Sequence, residues 1–179
     1  PAKPFTPVRF RLQPPVRDQV NKKICVFGLG YVGYSIAVML AKENTVFGID
    51  LDQERVDLVN DNCSTIDDNH ISDYLINNNI NINASTEVES LSEVDFVVIA
   101  TPTNYDENSG FFETSSVSKV INDVKKTNEN IPIIIKSTIP IGFTDEQNIK
   151  YGSDNIFFSP EFLREGTALY DNLNPSRII

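Results

Sequence analysis

This 179-residue chain has one histidine and two cysteines. Sites built on paired histidines are excluded, and Ser-His-Asp catalysis has His70 alone to draw on. Two thiols, Cys25 and Cys63, do not make a disulfide framework. Long apolar runs are also missing: runs such as Phe96 to Ala100 and Ile133 to Ile135 are strand-sized, well short of the roughly 18 residues that span a membrane. No apolar segment followed by a small-residue cleavage site is seen, so a cytoplasmic protein is expected. Basic charge is scarce beyond the start. Positions 1–23 hold six cations against one carboxylate, whereas the other 156 positions hold 9 basic and 24 acidic groups, net −15. Such a body lacks the basic stripe that phosphates require, which excludes nucleic acid and anionic membranes as partners.

What is present divides the chain in two. The first 21 positions carry five of the ten prolines (Pro1, Pro4, Pro7, Pro14, Pro15) with no helical or strand period. They read as an extended arm or tag outside the core, or as an arm that docks on another subunit. From Lys23 the pattern changes. Ile24 to Phe27 is an apolar strand, three glycines follow, and Ser35 to Lys42 is helical. Thr45 to Ile49 predicts a second strand ending at Asp50, and Asp52 to Asn60 a helix. Ile66 to Ile76 predicts another helix, with Asp67, Asp68 and Asp73 placed early where they suit the helix dipole. Ile80 to Ala84 and Asp95 to Ala100 predict strands. Thr114 to Thr127 is helical, with Val117, Val120, Ile121 and Val124 at i, i+3, i+4 and i+7. Ile131 to Lys136 and Ile156 to Phe158 complete the strands. Alternating strands and helices, each strand a continuous apolar run, predict an α/β Rossmann-type, doubly wound and mostly parallel sheet over 22–179, with helices on both faces.

Gly28-Leu29-Gly30-Tyr31-Val32-Gly33 is a GxGxxG motif. Three glycines so spaced arise by chance in roughly one such chain in twenty. Here the motif follows a strand, opens a helix and precedes an Asp at the end of the next strand, the context of a dinucleotide site. Gly28 permits the tight turn, Gly30 lets a pyrophosphate reach the backbone, and Gly33 lets helix and strand pack closely. The helix N-terminus supplies N–H groups and partial positive charge. Asp50 would accept from the ribose hydroxyls and repel a 2′-phosphate, favouring NAD over NADP. Arg55 is the complication, a cation able to tolerate that phosphate. His70, among acidic residues at a helix start, reads as a surface histidine, and no metal site is expected from Asp67, Asp68, His70 and Asp73.

Three segments lie at strand C-terminal ends, where ligands bind in this fold: Ala100 to Asn104, Lys136 to Gly142, and Ser159 to Gly166. Each places a hydroxyl and a proline just past a strand. GLGYVG with Asp50, TPTN, KSTIPIGFT and SPEFLREGTALYDNLNPSRII resemble the N-terminal domain of the nucleotide-sugar 6-dehydrogenase family, from about Lys23 to Ile179. The EFLREG segment is similar to the UDP-glucose branch.

The resemblance implies a four-electron oxidation of UDP-glucose to UDP-glucuronate with two NAD, through an aldehyde and a cysteine-bound thioester. It implies NAD binding by Gly28, Leu29, Gly30, Tyr31, Val32, Gly33, Asp50, Arg55, Thr101, Pro102, Thr103, Ser137, Thr138 and Glu165. Glu161, Phe162, Leu163, Arg164 and Glu165 would bind the UDP-sugar. Glu161, Glu165 and Thr138 would be catalytic, Glu161 as the acid/base serving the hydrolytic water. Glu161 and Glu165, four apart, would share a face on a helical turn and raise one another's proton affinity. The family's nucleophilic cysteine lies in a GGxCxPKD-type region that this sequence does not contain. Cys25 and Cys63 read as structural, so the chain is expected to be the cofactor half of a truncated enzyme, inactive alone. The resemblance implies a homodimer or higher homo-oligomer for the intact enzyme, with its interface largely outside this segment. Two alternatives remain: the same domain of a UDP-N-acetylmannosamine or GDP-mannose dehydrogenase, and a free-standing dinucleotide-binding module without catalysis.

Overall fold

A run of apolar residues with no polar alternation can form a strand only where both faces of the sheet are covered, and the computed structural model has that arrangement. It describes residues 21–88, 91–106 and 111–177; the expected arm, save Asn21, lies outside them. Asn21 belongs to the folded body instead, because its side-chain amide donates to Thr45 Oγ1 at 3.2 Å.

The first half is β1 (Lys23–Phe27), α1 (Tyr31–Ala41), β2 (Thr45–Ile49), α2 (Gln53–Asn60), α3 (Asn69–Asn78) and β3 (Ile82–Ser85). The second is β4 (Phe96–Ile99), a two-stranded hairpin of β5 (Tyr105–Asp106) and β6 (Phe111–Phe112), α4 (Ser115–Thr127), β7 (Ile133–Ile135), α5 (Phe143–Tyr151), β8 (Ile156–Phe158) and α6 (Ala168–Leu173). Six strands form one parallel sheet in the order β3-β2-β1-β4-β7-β8. The chain winds one way from β1 and the other way from β4. The strand order therefore reverses between them, and a crevice opens there at the C-terminal ends.

Strand alternation sorts the core into two layers. Ile24, Val26, Val46, Ile82 and Val98 face α1, α3 and α6. Cys25, Phe27, Val97, Ile99, Ile133 and Ile135 face α4 and α5. The apolar stripe of α4, namely Val117, Val120, Ile121 and Val124, is wholly buried. Burying each such side chain contributes about 1.5–3 kcal/mol. Burial pushes the Cys25 thiol up to about 12, so it stays a neutral core group.

The α3 helix departs from expectation. It starts at Asn69 rather than Ile66 because Asp68, in an extended conformation, caps it by accepting the His70 N–H at 2.9 Å. A short side-chain acceptor favours that role over a place inside the helix. Asp67 and Asp68 thus precede the helix, and Thr65 to Asp67 form bends before it. The other oxygen of Asp68 accepts the Leu169 N–H at 3.2 Å, tying α3 to α6 across 101 positions.

Candidate functional site

The GxGxxG turn is built from two unavoidable close approaches and one open position. Gly28 has φ +89°, and a Cβ there would stand 2.5 Å from the Ala100 carbonyl oxygen. A Cβ on Gly33 would stand 1.8 Å from the Gly28 carbonyl oxygen. On Gly30 a Cβ would meet nothing within 4 Å. That position is the N-cap of α1 and has no side chain to cap the helix, so the first-turn N–H groups of Tyr31, Val32 and Gly33 have no partner within the helix. Beside them a cleft of about 830 Å³ runs along the ends of β1, β2 and β4. An open backbone, unpaired N–H groups and the positive end of a helix dipole fit the pyrophosphate of a dinucleotide.

Asp50 sits at the end of β2 with its side chain largely buried. Its Oδ2 accepts the Leu29 N–H at 2.6 Å and its Oδ1 the Asp52 N–H at 3.0 Å. Two backbone donors fix its direction at the cleft wall and leave acceptor capacity for ribose hydroxyls. The Arg55 guanidinium approaches Asp50 at 3.6 Å and Asp52 at 3.7 Å. Gly28, Gly30, Tyr31, Val32, Asp50, Arg55, Thr101 and Pro102 all line this cleft. Leu29 does not: its side chain is fully buried against Gly48 and its N–H is taken by Asp50. Thr103, Ser137, Thr138 and Glu165 also lie outside the cleft lining. Ser137 is buried, its hydroxyl donating to the Thr101 carbonyl at 2.7 Å, and so ties the ends of β7 and β4 together. The Thr101 hydroxyl shares a 3.1 Å hydrogen bond with that of Ser116.

The sequence reading missed part of the cleft wall. Leu51 lines it and is 88% exposed, an apolar side chain open to a flat ring. Thr86, Val88, Lys119 and Asp123 also line the cleft. An apolar residue after the β2 carboxylate was a readable signal; Lys119 and Asp123 on the polar side of α4 were not.

A second cleft, about 620 Å³, lies on the α1 side of β4 and β7 and is lined by Lys136, Glu161, Phe162, Leu163 and Arg164. The segment 161–164 is irregular, not helical. Glu161 and Glu165 therefore do not share a helical face, and Glu165 is exposed outside this cleft. Pro160 and the Asx-like turn in which Glu161 Oε2 accepts the Leu163 N–H at 2.6 Å hold the backbone open. Lys136 Nζ donates to Ser159 Oγ at 3.3 Å. Burial holds the Lys136 ammonium below its ordinary range, against the opposing charge of Glu161. Arg164 makes a two-point pair with Asp171, at 2.7 and 3.1 Å, and Arg177 lies 3.9 Å over the Phe162 ring.

His70 is exposed and packs its ring against Tyr170, 5.5 Å between centroids. Among the described residues no three His, Cys, Asp or Glu groups gather as a metal site. Cys63 is exposed, contrary to a structural role in packing, and lines neither cleft. No helix among the described residues is long and apolar enough to cross a membrane.

Comparison with known proteins bears on the same residues. The UDP-glucose 6-dehydrogenases of Campylobacter jejuni and Streptococcus pneumoniae are each 46% identical to the chain over 88% of its length. The chain spans about two fifths of the length of these relatives (41% and 40%). A UDP-glucose dehydrogenase structure from Pyrobaculum islandicum superposes with TM-score 0.75 and 25% identity, over 90% of this chain and 41% of that one. Residues 22–179 match the model of the UDP-glucose/GDP-mannose dehydrogenase family, NAD binding domain. The chain belongs to this family as its NAD-binding domain.

Proposed function

We propose that this domain serves the oxidation of UDP-glucose, holding NAD in the first cleft and part of the sugar nucleotide along the second. The observation that carries the reading is the 46% identity to two UDP-glucose 6-dehydrogenases over 88% of the chain. Bound NAD would supply the hydride acceptor. The chain's own groups supply position and charge. Tyr31, Val32 and Gly33 present N–H groups to the pyrophosphate, and Asp50 accepts from the adenosine ribose. Thr101 and Pro102 border the cleft beside the end of β1. Thr138, exposed past the end of β7, and Glu165 would approach the nicotinamide end. Glu161, steered by the Leu163 N–H and facing the positive charge of Lys136, would move the proton during the oxidation. Phe162 to Arg164 would contact the UDP-sugar.

Neither thiol suits a covalent step: Cys25 is buried and held protonated, and Cys63 lies away from both clefts. Titration calorimetry on the pure chain should therefore find NAD binding well ahead of NADP, while the same sample forms no UDP-glucuronate from UDP-glucose and NAD. Absence of NAD affinity, or formation of UDP-glucuronate, would overturn these two statements in turn. Ligand-observed NMR with UDP-glucose, UDP-N-acetylmannosamine and GDP-mannose tests the substrate. Preference for either of the last two would replace UDP-glucose in the reading.

A further inference from the structure

The cofactor cleft holds a cation that is not at liberty. Arg55 lies between two carboxylates, 3.6 Å from Asp50 Oδ2 and 3.7 Å from Asp52 Oδ2, beside the position an adenosine ribose would take. Asp50 alone explains only part of the exclusion of a 2′-phosphate, because an adjacent free arginine would offset it with a two-point contact to the same phosphate. The arrangement of Asp52 removes that compensation. Its Oδ1 caps α2 by accepting the Glu54 N–H at 3.0 Å, which fixes the side chain, and its Oδ2 then faces the guanidinium. One residue thus serves as helix cap and as tether. The rest of the cleft adds to the bias: the carboxylates lining it are Asp50, Asp52, Glu87 and Asp123, against the cations Arg55 and Lys119.

We infer that Asp52 is a second determinant of cofactor choice, which holds Arg55 on the carboxylate side and so denies a 2′-phosphorylated dinucleotide its only nearby arginine in the described cleft. The inference rests on the cofactor cleft assigned above and adds to Asp50 a residue that does not touch the ribose. It concerns discrimination between two dinucleotides, not the strength of NAD binding.

The test reads the ratio of NADP to NAD dissociation constants by calorimetry on this chain. D52N and D52S both keep a side chain able to cap α2 while removing the charge that holds Arg55. Each should tighten NADP about three- to fivefold relative to NAD, the scale of releasing one exposed ion pair. In the double variant D52N/R55M the gain should vanish, since Arg55 is the group released. A cap that mattered only for stability would shift the unfolding midpoint and leave the ratio alone. An unchanged ratio in both single variants, or a gain that survives loss of Arg55, would overturn the inference with the cofactor reading intact. Wild-type chain that binds neither dinucleotide would overturn both.

Discussion

Three glycines that look equivalent in the sequence differ once the space around each is known. Gly33 faces the Gly28 carbonyl so closely that any Cβ overlaps backbone. Overpacking where the neighbour is backbone cannot be relieved by a rotamer, so G33A should cost about 3 kcal/mol or more, read as a lower urea midpoint. Gly30 is different: its missing side chain leaves open cleft, and its φ of −80° suits alanine. G30A should unfold within about 1 kcal/mol of wild type yet bind NAD at least about tenfold more weakly, because the methyl group stands where phosphate meets the amides of α1. Wild-type affinity in G30A would remove Gly30 from the site. At this scale the tight turn at Gly28 and the close packing at Gly33 match the close approaches that were expected of them, while the Leu29 side chain, expected at the cofactor, is buried. A motif string does not say which of its side chains turn inward, and Leu29 does so because Gly48 leaves it room.

Elements with a strong apolar period were legible, and those held by single tertiary contacts were not. The stripe of α4 declared itself, whereas α5 buries little beyond Phe143 and Gln147 and α6 docks through Ala168 and Leu169. The hairpin of β5 and β6 has two residues a side, too few for a period to show. The 161–166 segment misled for a related reason: spacing of four suggests a helix face, but Asp171 instead gathers the backbone and side chain of Arg164 and the Thr167 hydroxyl. The hydrogen bond from Arg164 and the accompanying backbone donor hold the Asp171 carboxyl down, to about 2 from its ordinary 3.8. A carboxyl depressed in the folded state favours folding above its unfolded value, and that contribution fades as pH falls from about 4 to about 2. The difference in melting temperature between wild type and D171N should therefore be constant above pH 5 and shrink across that window. Arg164 is largely exposed, so the difference is a modest one. A gap that persists unchanged at pH 2 would assign the effect of D171N to packing rather than charge.

Over the whole molecule the parallel sheet was readable because burial on both faces writes the same apolar run into each strand, and the reversal of strand order then placed the cleft. The charge of the molecule was equally readable, and its consequence can be weighed. The chain carries a net charge of −10, and positions 24–179 alone carry −15. Added salt acts on such a body in two opposing ways: it screens the mutual repulsion of the excess carboxylates, and it weakens the attractive pairs Lys22 with Asp95, Lys23 with Glu93 and Arg164 with Asp171. Each of those pairs has an exposed partner, and exposed pairs contribute about 0–1 kcal/mol apiece. Repulsion among an excess of this size, summed over the surface, is the larger quantity at low ionic strength, where the screening length is about 30 Å at 0.01 M against about 8 Å at 0.15 M. Raising the salt between those limits should therefore raise the melting temperature, by roughly 2–4 °C for each kcal/mol of repulsion relieved. Scanning calorimetry in chloride, which avoids the excluded-salt effect of sulfate, gives the sign directly. A melting temperature that falls over the range would mean that the few opposite-charge contacts outweigh the acidic excess.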